Sequence, residues 1–386
     1  DDHLTLLGWG VAPSRGIKSG VIVNREAAIG AILESISAAE KMADTRITDV
    51  CVSISGINIE TQHAHAMHEV SKVEILEGDI DYVVEQAGRA VKSSDQQILH
   101  LLPQYFTVDG QVGIKEPLNM VGDSLQANVH VILTRKSVIH NLVKTVQKAG
   151  LIVQDIVLSP LASSYSSLSE QAKNSGVCQI DLGEGSTGFC TFVDGMIRDT
   201  GVVPVGGYSI TSDITQVLHV DAMEAQVLHH QYGKAMSSLA KPEDSFELKT
   251  CADEVSGKRV SKATLSAIIE ARLEEVFALI KQQLINQELY PRLGAGIVLT
   301  GGGALLPGIA QLANKVFELP VKISRGSFIQ GVPDELKSPV YSCALGLLCY
   351  SLQSKIDGVS ISYALSPSRK DPFYKRVMGA VQAIFV

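Results

Sequence analysis

The sequence predicts an α/β protein of two lobes with a ligand cleft between them. Two glycine-bearing segments that lie far apart in the chain indicate this fold. The segment at 177–207 consists of three apolar strands separated by glycine turns, and the one at 296–303 is a strand that runs into three glycines. Strand groups open both halves of the chain, insertions follow them, and a closing helix near 341–352 reaches back. This repeated order is typical of a duplicated fold.

The first segment has the features of a phosphate-binding hairpin. Asp194-Gly195 predicts a tight turn, because glycine accepts the positive φ that such turns need. Apart from Glu184, the longer turn before it holds only small residues: Gly183, Gly185, Ser186 and Thr187. A phosphate can approach the backbone N–H groups of such a turn, and Asp181, at the end of the preceding strand, is placed to hold a hydrated Mg²⁺. A plain β-hairpin is the alternative.

The second segment is a junction between a strand and a helix. An apolar strand at 296–300 is followed by Gly301, Gly302 and Gly303, and a helix is predicted from near Leu305 with Pro307 in its first turn. Backbone can lie flat against a ligand at such a junction, and the helix dipole favours negative charge. A tight turn without a ligand is the alternative.

Composition excludes several classes of protein. With 386 residues, of which 45% are hydrophobic, the chain is long enough for two or more domains. A net charge of −8 and aromatic content of 5% argue against a nucleic-acid-binding protein. Six cysteines are scattered without a C-x-x-C pair, which favours reduced thiols and a cytoplasmic location. No run of about 20 apolar residues, the length that spans a bilayer, is present.

The histidines at 63, 65 and 68 are interpreted as exposed strand residues rather than as a metal site. They lack partner cysteines and an H-E-x-x-H frame. Around them, residues 60–136 alternate short strands with one helix near 80–91 and predict a small α+β insertion. Residues 209–293 are mostly helical, with an amphipathic stretch at 261–289. Leu4 to Val11 predicts a strand at the start of the chain, and we expect a further segment upstream of it.

Several motifs stand in a characteristic order and spacing along the chain. They are Pro13-Ser14-Arg15-Gly16 with Gly20, Gly113-Ile114-Lys115 with Pro117, Leu161-Ala162-Ser163-Ser164-Tyr165, Thr211-Ser212-Asp213-Ile214, Ala295 to Gly302, and Ala344-Leu345-Gly346-Leu347-Leu348. Their order and spacing resemble those of the actin, Hsp70 and sugar-kinase superfold and, within it, the FtsA family of bacterial cell-division proteins. The match runs over nearly the whole chain, and its insertion at 60–136 lies at a different place from that of actin.

The resemblance implies an actin-like two-lobed fold with duplicated ribonuclease-H-like cores and a displaced α+β insertion. The implied parts are subdomain 1A at 1–59 and 137–175, the inserted subdomain 1C at 60–136, subdomain 2A at 176–208 and 294–340, the helical cap 2B at 209–293, a closing helix of 1A at 341–356, a linker at 357–371 and a membrane-targeting helix at 372–386.

The resemblance also implies ATP with Mg²⁺ in the central cleft. The positions that match the family's binding motifs are Asp181 for Mg²⁺ through water, Gly183, Gly185, Ser186 and Thr187 on the second phosphate loop, Gly206 and Gly207 beside the phosphates, and Gly301, Gly302 and Gly303 on the adenosine motif. The first phosphate loop is expected on a hairpin before Leu4.

Three positions depart from the family pattern. Glu184 replaces the middle glycine of the phosphate loop, and a carboxylate there costs roughly 1–4 kcal/mol beside a phosphate. Gln226 and His229 stand where relatives offer Glu and Lys to the adenosine. Ser159 stands where Hsp70-like members place a Glu that orients the attacking water, and it cannot act as a carboxylate base. The sequence therefore predicts an ATP-binding protein whose hydrolysis is very slow or absent.

The C-terminal residues 372–386 predict an amphipathic helix at the end of a polar tether. Apolar side chains recur on one helical stripe with two bases beside it: Phe373, Val377, Met378, Val381, Ile384 and Phe385, with Lys375 and Arg376. Such a helix lies in a membrane surface, and relatives carry a membrane-targeting helix at this place. A helix docked on the body or on a partner is the alternative.

The function implied by the resemblance is that of a peripheral membrane protein of the division site. Such a protein binds ATP, polymerises into filaments, tethers FtsZ to the inner face of the cytoplasmic membrane, and recruits later division proteins during septum assembly. The FtsZ tail is expected on the cap, near 281–292, and the later division proteins on the insertion. Two alternatives remain: a pilus-assembly adaptor of the inner membrane that shares the fold, and an Hsp70-like or sugar-kinase-like ATPase.

Overall fold

The protein alternates helices and strands along its whole described length. The structure is a computed structural model that describes residues 5–70, 74–91, 94–241, 243–248, 259–326, 332–357 and 383–384. The helices are α1 (Arg25–Ala43), α2 (Glu77–Val91), α3 (Lys136–Lys148), α4 (Ser159–Ser167), α5 (Glu170–Ser175), α6 (Gly207–Leu218), α7 (Ala222–Tyr232), α8 (Lys262–Asn286), α9 (Ile309–Phe317) and α10 (Ser342–Asp357). None of these helices is long and apolar enough to cross a bilayer.

Within the described residues, the strands form three larger sheets and two short antiparallel pairs. They are β1 (Ile17–Lys18), β2 (Val21–Ile22), β3 (Asp49–Ile54), β4 (Ile59–Glu69), β5 (Gln96–Val108), β6 (Gln111–Ile114), β7 (Ser124–Arg135), β8 (Ile152–Leu158), β9 (Val177–Leu182), β10 (Thr187–Val193), β11 (Met196–Val203), β12 (Ser245–Glu247), β13 (Arg259–Ser261), β14 (Gly296–Thr300), β15 (Val321–Ile323) and β16 (Ala383–Ile384). β1 pairs with β2, and β12 with β13.

The second lobe contains a five-stranded sheet in the order β11-β10-β9-β14-β15. The first three strands are antiparallel, whereas β14 and β15 run parallel to β9. The turn at Asp194-Gly195 has φ of 56° and 79°, so the predicted tight hairpin is confirmed. Because β9 and β14 are parallel neighbours, their carboxyl ends meet at one edge of the sheet, and the glycine turns at 183–185 and 301–303 start there.

The first lobe repeats the parallel part of this sheet. β3 and β8 are parallel neighbours. Apart from the insertion, the first lobe runs in the order β3, α3, β8, α4, and the second lobe runs in the order β14, α9, β15, α10. Helices α4 and α10 cross between the lobes, where a Cβ on Gly346 would collide with the carbonyl oxygen of Ala162. This repetition is the duplication that the sequence predicts.

The inserted subdomain has a core of its own. Its antiparallel sheet has the order β4-β7-β5-β6, and α2 packs on one face over buried side chains such as Val83, Ala87, Leu125 and Val131. The subdomain also contacts the second lobe, because Lys115 Nζ donates to the carbonyl oxygen of Asp194 at 2.6 Å. The insertion therefore bridges the two lobes.

Two predicted elements differ from the structure. Residues 5–11 form no strand: they have no ladder partner, and Gly8 and Gly10 instead lie against the backbone of α1. The helix predicted from near Leu305 begins at Ile309. A short 3₁₀ turn precedes it, and Gly308, with φ of 88°, sets the chain direction after Pro307.

The predicted C-terminal helix lies almost wholly outside the described residues, and so do Phe373, Lys375, Arg376, Val377, Met378, Val381 and Phe385. For Ile384 the prediction is wrong here, because Ala383–Ile384 is extended and runs parallel to β3. The edge of β3 offers backbone N–H and C=O groups to an extended segment, which explains the pairing.

Candidate nucleotide cleft

Asp181 lies at the carboxyl end of β9, where the sequence places it. Its Oδ2 accepts a hydrogen bond from Ser163 Oγ at 3.0 Å. Burial of the carboxyl group raises its pKa, and hydrogen bonds from Ser163 and Thr300 oppose that rise. Since a nearby cation would stabilise the ionised form, the surroundings of Asp181 suit a hydrated divalent ion.

The turn after Asp181 presents backbone N–H groups to the cleft. Gly183 N donates to Ser186 O at 3.1 Å and closes the turn, and Thr187 Oγ1 donates to Val205 O at 2.8 Å. Within the described part of the chain, the N–H groups of Glu184 and Gly185 donate no hydrogen bond. These two groups are therefore available to an anion.

The glycine pair at 206–207 packs directly on this turn. A Cβ on Gly206 would lie 2.6 Å from the carbonyl oxygens of Gly183 and Glu184 and 2.7 Å from Ser186 N. Gly207 N donates to Gly183 O at 3.1 Å and starts α6. The pair therefore holds the turn and brings a helix N-terminus beside it.

The triple glycine meets the same sheet edge. A Cβ on Gly301, whose φ is 80°, would lie 2.5 Å from Asp181 Oδ1, and one on Gly303 would lie 2.8 Å from the Leu182 side chain. No atom lies within 4 Å of such a position on Gly302, which faces open space. The structure thus brings together the two glycine segments that the sequence singles out, but the helix expected directly after the triple glycine begins only at Ile309.

The β1–β2 hairpin of the first lobe lies over the turn at 183–187, which we call the candidate phosphate turn. A Cβ on Gly185 would lie 2.5 Å from Ser19 Cα. A cavity of about 950 Å³ opens between the lobes and is lined by Ser159, Glu184, Gly185 and Tyr208 among others. Most of its lining belongs to the first lobe, and of the predicted nucleotide-binding residues only Gly185 lines it.

Glu184 turns toward the glycine pair. One of its carboxylate oxygens, Oε2, lies 2.6 Å from the position of a Cβ on Gly207, at the N-terminus of α6. The partial positive charge of that terminus stabilises the carboxylate. An incoming phosphate would compete for the same positive end.

The two predicted adenosine contacts differ in exposure. His229 is half-buried on α7, with Nδ1 3.4 Å from Thr211 Oγ1, and Thr211 in turn donates to Gly207 O at 3.2 Å. Burial and the neighbouring His230 lower the pKa of His229 to about 4, so its imidazole is neutral at pH 7. Gln226 lies one turn earlier on α7 and is exposed.

Two residues of the cleft, Lys18 and Tyr208, were not predicted from the sequence. Lys18, on β1, donates to Tyr208 OH at 3.3 Å, and its ammonium lies 4.7 Å from the centre of the Tyr208 ring. This contact joins the lobes beside the candidate phosphate turn and brings a cation to the cavity that Glu184 lines. Lys18 lies between Gly16 and Gly20 of the Arg15-Gly16 motif, so that motif was the available signal.

Comparisons with known families match two segments of the chain. A family model described as "Cell division protein FtsA" matches residues 178–346, and one described as "SHS2 domain inserted in FTSA" matches residues 56–133. The second match falls on the inserted subdomain. The chain is also 35% identical to the cell division protein FtsA of Pseudomonas aeruginosa, in an alignment that covers 100% of this chain and 93% of that protein.

Solved structures confirm the predicted actin-like fold. The chain resembles a protein of the PilM-PilN type IV pilus biogenesis complex with a TM-score of 0.59 and 16% identity, over 88% of this chain and 89% of that one. It resembles MreB5 of Spiroplasma citri bound to ADP with a TM-score of 0.51 and 15% identity, over 89% of this chain and 80% of that one. At these identities the likeness concerns the fold alone.

Proposed function

The chain belongs to the FtsA family of cell-division proteins, and we propose that it binds Mg·ATP between its lobes and assembles into filaments that tether FtsZ to the inner face of the cytoplasmic membrane. Family membership separates this proposal from the pilus adaptor and from the Hsp70-like or sugar-kinase-like ATPase.

One observation carries the nucleotide proposal. The turn at 183–187, the pair Gly206-Gly207 and the triple glycine surround the carboxyl end of β9 and leave backbone N–H groups and an acidic side chain facing the cleft. In this proposal Asp181 holds Mg²⁺ through water, the turn and the glycine pair hold the phosphates, and Gly302 with His229 and Gln226 borders the adenosine. Bound Mg²⁺ supplies the positive charge that offsets the phosphates and the two carboxylates.

Slow or absent hydrolysis is part of the proposal. Ser159 lines the cavity with Glu184 and Gly185, at the place where a carboxylate base is expected in hydrolytic relatives of the fold. A serine hydroxyl at neutral pH is a poor proton acceptor. Nucleotide then acts as a ligand that selects the closed, assembly-competent arrangement of the lobes.

Binding of a fluorescent ATP analogue with and without Mg²⁺, beside an assay of phosphate release, tests this proposal. We expect saturable, Mg²⁺-dependent binding with little or no phosphate released over hours. Absence of saturable binding by the full chain would contradict the nucleotide proposal, and rapid turnover would contradict the role of Ser159.

Membrane attachment is proposed for residues 372–382, which precede the extended pair Ala383–Ile384. The apolar positions 373, 377, 378 and 381 and the two bases at 375 and 376 suit an interfacial helix, and many such helices along a filament would multiply a weak single contact. Pelleting with vesicles that contain anionic lipid compares the full chain with one that ends at 371. Equal pelleting of the two chains would contradict the proposal.

The cap is the proposed site for the FtsZ tail. Near the end of α8, Lys281 Nζ already donates to Val316 O and Glu318, and Arg292 pairs with Asp194, while Leu279 and Ile285 are exposed. An acidic and apolar tail would contact these apolar side chains and share the basic ones. Leu279→Ser is expected to weaken capture of an FtsZ tail peptide, and Met67→Ser, an exposed change on the insertion, is the control.

A further inference from the structure

Polar side chains meet where the inserted subdomain contacts β11 of the second lobe. His130 Nε2 lies 2.8 Å from Thr200 Oγ1. Gln104 Nε2 donates to Arg198 O at 2.6 Å, and Arg198 Nη1 donates back to Gln104 O at 3.3 Å. His130 is 0% exposed and Asp199 is 2% exposed. Such deeply buried ionisable groups need partners or a bound ion.

Three potential metal ligands converge at this contact. His63 on β4 and His130 on β7 are directly opposed in the sheet, with ring centroids 5.0 Å apart. One ligand atom from each of His63, His130 and Asp199 lies within 4.8 Å of the other two. His130 Nδ1 is buried without a hydrogen-bond partner. With the proton on Nε2 and donated to Thr200, the lone pair of Nδ1 is free to bind an ion.

We propose that His63, His130 and Asp199 bind a divalent transition-metal ion of the Zn²⁺ class, and that this ion joins the inserted subdomain to the second lobe. Two imidazole nitrogens and a carboxylate oxygen suit Zn²⁺, whereas Mg²⁺ and Ca²⁺ prefer oxygen ligands. The three ligands do not line the cavity between the lobes, so the proposed metal site is independent of ATP binding.

Metal binding requires the three ligand atoms to move closer together. Ligand atoms about 2.0–2.1 Å from a tetrahedral Zn²⁺ lie roughly 3.3 Å from one another, so the present spacing closes by about 1.5 Å at most. His63 is exposed and its side chain can supply this movement. A cleft of about 300 Å³ lined by His63, His65 and Gln104 leaves room for water as a fourth ligand.

Hydrogen bonds from neighbouring residues hold Asp199 and His130 in place. Gln283 Nε2 donates to Asp199 Oδ2 at 2.9 Å, and Thr200 orients His130, as residues around metal ligands commonly do. The cationic neighbour Arg198 is engaged by Gln104 and lies 3.9 Å from Asp194 Oδ2.

Metal titration of the full, tag-free chain after chelator treatment tests the proposal. We expect one Zn²⁺ per chain by calorimetry, a higher melting temperature with Zn²⁺ but not with Mg²⁺, and visible d–d absorption of a tetrahedral site with Co²⁺. His63→Ala should weaken Zn²⁺ binding by more than about tenfold, and Asp199→Asn, which keeps the side-chain size, should weaken it as well.

A matched histidine substitution away from the site serves as the control for His63→Ala. His63 is exposed, so its replacement leaves the core intact, and His140→Ala removes an exposed histidine from α3 without changing the site. Retention of Zn²⁺ by His140→Ala together with loss by His63→Ala supports the proposal. Failure of the parent chain to bind Zn²⁺ stoichiometrically, or equal binding by the parent and His63→Ala, would overturn it, whatever the nucleotide assays give.

Discussion

Single residues decide how strongly the cleft attracts an anion. Glu184 is the one large side chain among the small residues of the turn at 183–187, and its carboxylate lies against Gly207 at the N-terminus of α6. Lys18 brings the opposite charge from the first lobe to the same cavity. The backbone geometry of the glycine turns does not determine this balance of charge, so each side chain needs a substitution of its own.

Glu184→Gln is expected to tighten Mg·ATP binding. The change removes a negative charge from the helix end that a phosphate would occupy, and because Glu184 is exposed the gain is small, about 1 kcal/mol or roughly fivefold in Kd. Fluorescent ATP titration measures it, and Glu335→Gln, an exposed change outside the cleft, is the control. Weaker binding would instead mean that Glu184 supports Mg²⁺.

Gly206→Ala is expected to abolish nucleotide binding. The added methyl group would meet three backbone atoms of the candidate phosphate turn at 2.6–2.7 Å, and backbone cannot rotate away as a side chain can. Gly30→Ala is the control, since no atom lies within 4 Å of its added Cβ on α1, and it should stabilise that helix by up to about 1 kcal/mol. Normal ATP binding by Gly206→Ala would contradict the proposed role of the glycine pair.

His229 is expected to make stability depend on pH. Its pKa in the folded protein, about 4, is below the unfolded value near 6.5. Its contribution is therefore complete above pH 6.5 and is lost as the pH falls toward 4. Urea unfolding should show a shallower decline over this range for His229→Gln than for the parent, by on the order of 1–2 kcal/mol. His140→Gln, an exposed change, should follow the parent curve.

At the scale of elements, contacts between helices hold the cap together. Arg272 on α8 donates from Nε and Nη2 to the two carboxylate oxygens of Asp213 on α6, at 2.7 and 2.8 Å. The hydrogen bonds with Asp213 raise the pKa of Arg272, which reflects strong pairing of the charged form. Fork-like pairs of this kind fix the relative position of two helices better than a single contact does.

Arg272→Met is expected to destabilise the protein by roughly 1–2 kcal/mol, because Asp213 loses both donors in a half-buried place. The matched control is Arg259→Met, whose pair with Glu247 has a 3.6 Å separation and side chains 74% and 65% exposed; its cost should be within about 0.5 kcal/mol. Equilibrium unfolding in urea compares the two, and equal costs would show that the fork adds nothing.

Elements were predictable where local chemistry decides them. The hairpin at Asp194-Gly195 and the helix after Ser261, whose hydroxyl caps Thr264 N, follow from residues next to each other in the chain. The strand expected at 4–11 depends on a partner strand, which no local pattern supplies, and the start of α9 depends on the positive φ of Gly308. Sequence therefore predicts turns and caps better than it predicts pairing.

At the scale of the whole molecule, the insertion is a bridge rather than an appendage. β5 and β7 contact β11 through Gln104, His130 and their partners on the second lobe. The glycine segments of the cleft can be recognised in the sequence from their composition. In contrast, His63, His130 and Asp199 are far apart in the chain and form no spacing motif. Only the docking of the insertion on the second lobe reveals that they meet.

Gln104→Ala should loosen this docking. The change removes the donor to Arg198 O and leaves that carbonyl unpaired in a half-buried place, at a cost of about 1–2 kcal/mol. Because the loss concerns a contact between parts, we expect faster amide hydrogen exchange in β5 and β11, with α2 and α8 little changed. Gln111→Ala, exposed on β6, is the control. If exchange instead rises evenly through the insertion, Gln104 supports the fold of that subdomain and not its attachment to the second lobe.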